Sequence, residues 1–153
     1  MLTMEKILFL RSIPIFAALK MFELAHVAEI AEEVDLPKGE LLFRENEMGD
    51  CLYIVVSGSV DVIKQVEGRE KIIAVLGEKE SVGEMSILDS EPRSATVRAG
   101  ADVKLLKISS DDFTELLGEN PGISFGIFRV FTKRLRQKNV ESETAAVVPS
   151  HSM

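Results

Sequence analysis

The sequence predicts a mainly β domain with helices at both ends, and three observations carry that expectation. Between about residue 36 and residue 108 the chain breaks into short β-rich runs, at 41–44, 52–57, 60–66, 70–76, 95–99 and 103–108. The turns between these runs hold Gly49, Gly58, Gly68, Gly77 and Gly100, and glycine supplies the positive φ that tight hairpins need. Apolar residues at helical spacing are confined to the flanks. Many short strands at this spacing indicate a sandwich or barrel rather than a parallel sheet.

The N-terminal flank reads as two helices. Thr3 can cap a short helix over 4–10, which Ser12-Ile13-Pro14 then breaks, because proline disfavours helix at the residue before it. Residues 20–34 read as an amphipathic helix, with Leu24, Val27, Ala28, Ala31 and Val34 on one broad stripe and His26 facing solvent. After the strands, Ser110 caps a helix to Leu117, with Asp111 and Asp112 in the first turn, where the helix dipole favours acids, and Gly118 ending it. Asn120-Pro121 starts a longer helix with proline at its first position, running to about 139. Its apolar residues Ile123, Ile127, Phe128, Val130, Phe131 and Leu135 spread over roughly 160° at 100° per residue. That face is wide enough to pack on the β body and to cover a pocket or meet a partner helix. Lys133, Arg134, Arg136 and Lys138 complement the dipole at the helix end. Residues 141–153, rich in Ser, Thr, Ala and Pro, read as a flexible tail.

Composition narrows the function classes. At 153 residues the chain is one domain by length, with 46% hydrophobic and 28% charged residues. A net charge of -7 argues against direct nucleic-acid binding, which wants a basic face. It does not argue against an anionic ligand, because a local arginine and oriented N–H dipoles set the field inside a small pocket. No apolar run approaches the 18 or so residues needed to span a bilayer, so no membrane insertion is expected, and no signal peptide opens the chain. Cys51 is the sole cysteine and reads as a small buried hydrophobe, which suits a reducing, cytoplasmic setting. With His26 and His151 the only histidines, no metal cluster is expected, and no nucleophile–base pair is visible. An enzyme is therefore not expected.

The most informative stretch is 82–99. It places Gly83-Glu84, a short apolar turn from Met85 to Leu88, and Pro92-Arg93-Ser94-Ala95 in one span. Gly83 has no Cβ and lets backbone approach a ligand closely. The residues after it can begin a helix, whose first N–H groups have no internal partner and suit an anion. Arg93 offers a planar, permanently charged fork of donors. Glu84, an acceptor only when ionised, suits a hydroxyl donor. The chemistry asks for a phosphate whose neighbouring sugar carries a free hydroxyl.

This segment resembles the phosphate-binding cassette of cyclic nucleotide-binding domains, in which Gly-Glu opens a short helix and Arg-(Ser/Ala/Thr)-Ala closes it. Pro37-Lys38-Gly39-Glu40 and the run from Gly49-Asp50-Cys51 to Val60 are similar to the opening strands and turns of that family, and the likeness extends from about Phe16 to about Lys138. The resemblance implies a double-stranded β-helix, a jelly-roll-like β-roll, with N-terminal helices and C-terminal hinge or lid helices. It implies one domain over 1–140: helices in 1–34, the roll in 35–108 with the cassette at 82–99, and helices in 110–139. It further implies a regulatory module that binds a cyclic nucleotide, with cyclic AMP favoured over cyclic GMP, needs no cofactor and relays occupancy through the C-terminal helices. Carried over residue by residue, Arg93 pairs with the cyclic phosphate and Glu84 accepts the ribose 2′-OH. The N–H groups of Met85, Ser86 and Ala95 cradle the remaining oxygens behind Gly83. Ser94 can reach a phosphate oxygen or the purine edge, while Val62, Ile73, Ala74, Leu76 and Val82 flank the base. Phe128, Phe131 and Leu135 are the candidate caps for that base. Two departures stand out: Lys79 where a glycine is usual, and Ser81-Val82 where an aromatic commonly precedes Gly-Glu. The expected partners are the nucleotide, a downstream effector that the sequence does not name, and a second copy through the C-terminal helix. The competing reading is a ligand-independent structural or interaction domain that kept the roll.

Overall fold

A computed structural model of the chain describes residues 1–83 and 91–152, without the side chains from 138 onward. Two four-stranded antiparallel sheets face each other, with helices before and after them. The chain runs through α1 (Thr3–Arg11), a 3-10 turn (Pro14–Phe16), α2 (Met21–Ile30), β1 (Ala31–Leu36), β2 (Leu41–Phe43), β3 (Cys51–Ser57) and β4 (Val60–Val66). It continues through β5 (Arg69–Leu76), β6 (Ser81–Val82), β7 (Thr96–Ala99), β8 (Val103–Ser109), α3 (Ser110–Glu119) and α4 (Pro121–Ser152). One sheet has the order β1-β8-β3-β6 and the other β2-β7-β4-β5. This is the β-roll that the sequence pointed to.

Strands β3 and β8 are buried on both faces, and period-two alternation sorts their side chains. Leu52, Ile54, Leu106 and Ile108 face the helices, in one cluster with Leu10, Ile13, Phe16, Leu24, Val27, Phe113 and Ile123. Val55, Val103 and Leu105, from the same strands, face the roll interior with Val60, Val82, Val97 and Ala99. Full burial of each such aliphatic side chain contributes about 1.5–3 kcal/mol, so the helical layer and the sheet hold each other in place.

Several local expectations change: Gly118 lies inside α3, and of the five turn glycines only Gly58 and Gly68 have positive φ. The helix expected over 20–34 ends at Ile30, and Ala31–Leu36 becomes β1. Local propensity favours helix through Ala-Glu-Glu, but six residue pairs with β8, from Ala31↔Ile108 to Leu36↔Val103, override it. Thr3 is the first residue of α1 rather than its cap; Leu2 occupies the cap position and makes no side-chain bond. Ser109, not Ser110, caps α3: its hydroxyl accepts from the Asp112 backbone N–H at 3.2 Å. The backbone of α4 is helical to Ser152, through the stretch that composition suggested as a tail.

The wide apolar face of α4 is split. Ile123, Ile127 and half-buried Phe131 pack on the helical core, and Gly126 lies so close to Leu19 that an added Cβ would stand 2.7 Å from its Cδ2. Phe125, Phe128 and Leu135 point outward, each more than 60% exposed. His26 is half-buried in a depression between α2 and α3, beside Glu29, Asp112 and Glu115.

Candidate functional site

The site forms where the two sheets meet at the end of β6. The chain leaves Val82 and turns at Gly83, whose φ is +80°. It returns through 91–93, which is laced to the turn at 46–49. The Arg93 N–H donates to the Glu47 carbonyl at 2.6 Å, the Asn46 N–H to the Arg93 carbonyl at 2.8 Å, and the Gly49 N–H to the Glu91 carbonyl at 2.9 Å. Met48 and Pro92 form an isolated antiparallel bridge in the middle of this clasp. The backbone of Arg93 is therefore fixed by main-chain bonds, independently of its side chain.

The Arg93 side chain turns into the roll and is 6% exposed. Nη2 donates to the Cys51 carbonyl at 2.9 Å, and Cζ lies 4.1 Å from the centre of the Phe43 ring. Phe43 in turn leans on Tyr53, with ring centres 6.2 Å apart. Among the described residues, three buried side-chain polar atoms lack a hydrogen-bond partner, and two of them are Nε and Nη1 of Arg93. Arginine keeps its charge in proteins, and an unpaired buried charge is costly. The arrangement thus leaves two donors of a desolvated cation without a partner.

Gly83 has a sharper role than close approach by a ligand. A Cβ at that position would collide with Nη1 of Arg93 and stand 2.9 Å from the Cys51 carbonyl oxygen. Together with its left-handed φ, this makes residue 83 the opening through which the guanidinium fits.

A cavity of about 400 Å³ opens in front of Arg93, lined by Phe43, Val62, Leu76, Ser81, Val82 and Gly83, and by 91–95 and Val97. Of the residues singled out in the sequence, Gly83, Arg93, Ser94 and Ala95 meet here with Val62, Leu76 and Val82. Ile73 and Ala74 lie off the lining: the β4–β5 register slips between Val62 and Ile63, leaving Ile73 as the extra, half-exposed residue of a bulge. Glu84, Met85 and Ser86 fall outside the described residues. Phe128, Phe131 and Leu135 do not line the cavity. Sequence reasoning missed Phe43 and the Cys51 carbonyl. The first looked like any strand residue, and the second carries no side-chain signature.

The neighbours of Arg93 stay neutral. Burial, with a thiol hydrogen bond to Asp50 at 3.1 Å, pushes the Cys51 thiol up to about 11. Burial first, then the nearby Cys51, pushes the Tyr53 phenol up to about 12. No competing anion from either residue therefore meets the guanidinium near neutral pH. Lys79, in place of the usual glycine, adopts φ +71°, and its N–H donates to the Val55 carbonyl at 2.8 Å. The turn before the cassette thus takes a left-handed residue without glycine. Among the described residues, no group of three or more His, Cys, Asp or Glu is placed to hold a metal, and no helix is long and apolar enough to cross a membrane.

The fold is a β-roll with a buried arginine, two of its three side-chain nitrogens unpartnered, behind a Gly-turn. The family model described as "Cyclic nucleotide-binding domain" matches residues 33–120, more than half of the chain, and the chain belongs to that family. It is similar to the N-terminal domain of a transcriptional regulator from Streptomyces coelicolor, with 37% identity, a TM-score of 0.82, and 88% of this chain and 94% of that one covered. It is similar to the regulatory domain of Toxoplasma gondii PKA in complex with cAMP, at 30% identity and a TM-score of 0.69, over 74% of this chain and 44% of that one. A CRP-like cAMP-activated global transcriptional regulator from Mycobacterium tuberculosis is 32% identical over 82% of this chain. The chain spans 56% of that regulator's length.

Proposed function

We propose that the chain is a non-catalytic cyclic nucleotide receptor domain with a preference for cyclic AMP. The observation that carries the reading is buried Arg93, which lines a cavity of about 400 Å³ and whose Nε and Nη1 have no partner. Unpartnered N–H groups on a buried guanidinium suit phosphate oxygens, and phosphate supplies the missing negative charge. Behind it, Val62, Leu76, Val82 and Val97 offer an apolar wall for a base. In the roles carried over from the family, Glu84 takes the ribose 2′-OH and the N–H groups of Met85, Ser86 and Ala95 take the remaining oxygens. The preference for cyclic AMP draws on relatives described as cAMP-activated or cAMP-bound.

Occupancy is relayed, in this reading, through α3 and α4 to a partner or to further chain. A reducing cytoplasmic setting suits the protonated Cys51 thiol. The outward row Phe125, Phe128 and Leu135 supports self-association through α4, since it repeats at three- and seven-residue steps. Titration calorimetry with cyclic AMP and cyclic GMP tests the reading directly. Cyclic AMP at 100 times its dissociation constant should add about 2.7 kcal/mol of stability, or roughly 5–10 °C in melting temperature. Absence of both heat and thermal shift with either nucleotide would leave the ligand-independent structural reading in its place.

A further inference from the structure

The contacts around Arg93 leave one residue whose chemistry the family motif does not account for. Phe43 ends the short strand β2, opposite Val97 of β7, and lines the cavity wall. Its ring carries Cζ of Arg93 at 4.1 Å and is itself backed by Tyr53. Among the described residues no carboxylate bonds the guanidinium; its protein partners are one carbonyl and this ring. An aromatic face attracts a cation through its quadrupole, most strongly where water is excluded. With the ring as neighbour, Nε and Nη1 keep their N–H groups unbonded. A carboxylate in the same place would take two of them and neutralise the charge.

We propose that Phe43 is a positioning residue for anion capture: it holds the Arg93 guanidinium inside the roll while leaving Nε and Nη1 free for phosphate. Tyr53 buttresses the ring, and Cys51 anchors the third nitrogen. The three contacts set where the guanidinium sits before any ligand arrives. A salt-bridged arginine would have to break a bond to bind; this one does not.

The inference rests on the cyclic nucleotide reading, and the test separates the two. Cyclic AMP is titrated into the full chain, into Phe43→Leu, which keeps an apolar side chain but loses the π face, and into Phe43→Tyr, which keeps the face. Phe43→Leu should bind about tenfold more weakly, with Phe43→Tyr within about twofold of the parent, because the tyrosine ring keeps the π face that leucine lacks. Denaturation of the ligand-free protein in a double-mutant cycle of Phe43→Leu with Arg93→Met should show coupling between the two residues. Unchanged affinity in Phe43→Leu, equal losses in the Leu and Tyr variants, or zero coupling in the cycle each overturn the positioning role. If the parent chain binds no cyclic nucleotide, the functional reading itself fails, whatever the cycle shows of the contact.

Discussion

The two faces of strands β3 and β8 divide the labour of the molecule. On the helix side, Leu52, Ile54, Leu106 and Ile108 meet Phe16, Leu24, Phe113 and Ile123 in a closed apolar core. One residue along in each strand, Val55, Val103 and Leu105 look into the roll, where the packing stops short of filling the space and Arg93 sits with two idle donors. The same backbone supports both. The difference teaches that stability and ligand capacity are separated here by the pleat of a strand rather than by distance along the chain.

If that division holds, substitutions on the two sides should fail in opposite ways. The largest effect is expected from Phe113→Ala, which removes a fully buried ring packed edge-on to Phe16 at 6.4 Å. It should cost about 3–5 kcal/mol of stability in a denaturant titration, while the folded fraction keeps its nucleotide affinity. Arg93→Ala should do the reverse. Affinity by calorimetry falls by about 2–5 kcal/mol, roughly 30- to several-thousand-fold, with the unfolding midpoint held or slightly raised because a buried unpaired charge is gone. A steep loss of stability in that variant would break the comparison.

Gly83→Ala sits between these two. The left-handed backbone alone costs about 1–2 kcal/mol, and the new methyl must also displace the guanidinium. We expect the loss of affinity to exceed the loss of stability when both are measured on one preparation. A gentler probe of the interior is alkaline pH. Cys51 titrates near 9 ordinarily and is pushed up to about 11 in the fold. The native state therefore holds this proton when the unfolded chain has released it. Its contribution is fully present below about pH 9 and lost as pH rises through about 11. Cys51→Ala should flatten that part of the stability–pH curve; an unchanged slope would show that the thiol does not report on interior burial. The smallest effect belongs to Lys79→Gly, which relieves a φ of +71° and should raise stability by about 0.5–1 kcal/mol after the added chain entropy of glycine.

The parts of this molecule legible in the sequence are those whose signals are local. Strand Val60–Val66 begins and ends where alternation and glycine turns place it, and the bounds of Cys51–Ser57 and Val103–Ser109 shift by one residue each. β1 was hidden because Ala-Glu-Glu reads as helix, and only β8, far along the chain, makes it a strand. β6 is two residues long and carries no periodicity of its own. At the site, Gly83 and Arg93 were visible as a spaced pair of unusual residue types. The supports of Arg93 were not, since a cation–π contact and a carbonyl anchor depend on strand register and backbone path.

The clasp between 46–49 and 91–93 has a consequence in time rather than in energy. Three main-chain bonds already hold the backbone from Glu91 to Arg93, so this segment needs no assembly if an anion enters. Arrival is then governed by passage into the cavity, and little ordering of 91–93 has to accompany it. Ligands of similar size and charge should enter at similar rates and differ in how long they stay. A receptor built this way should distinguish its visitors by dwell time.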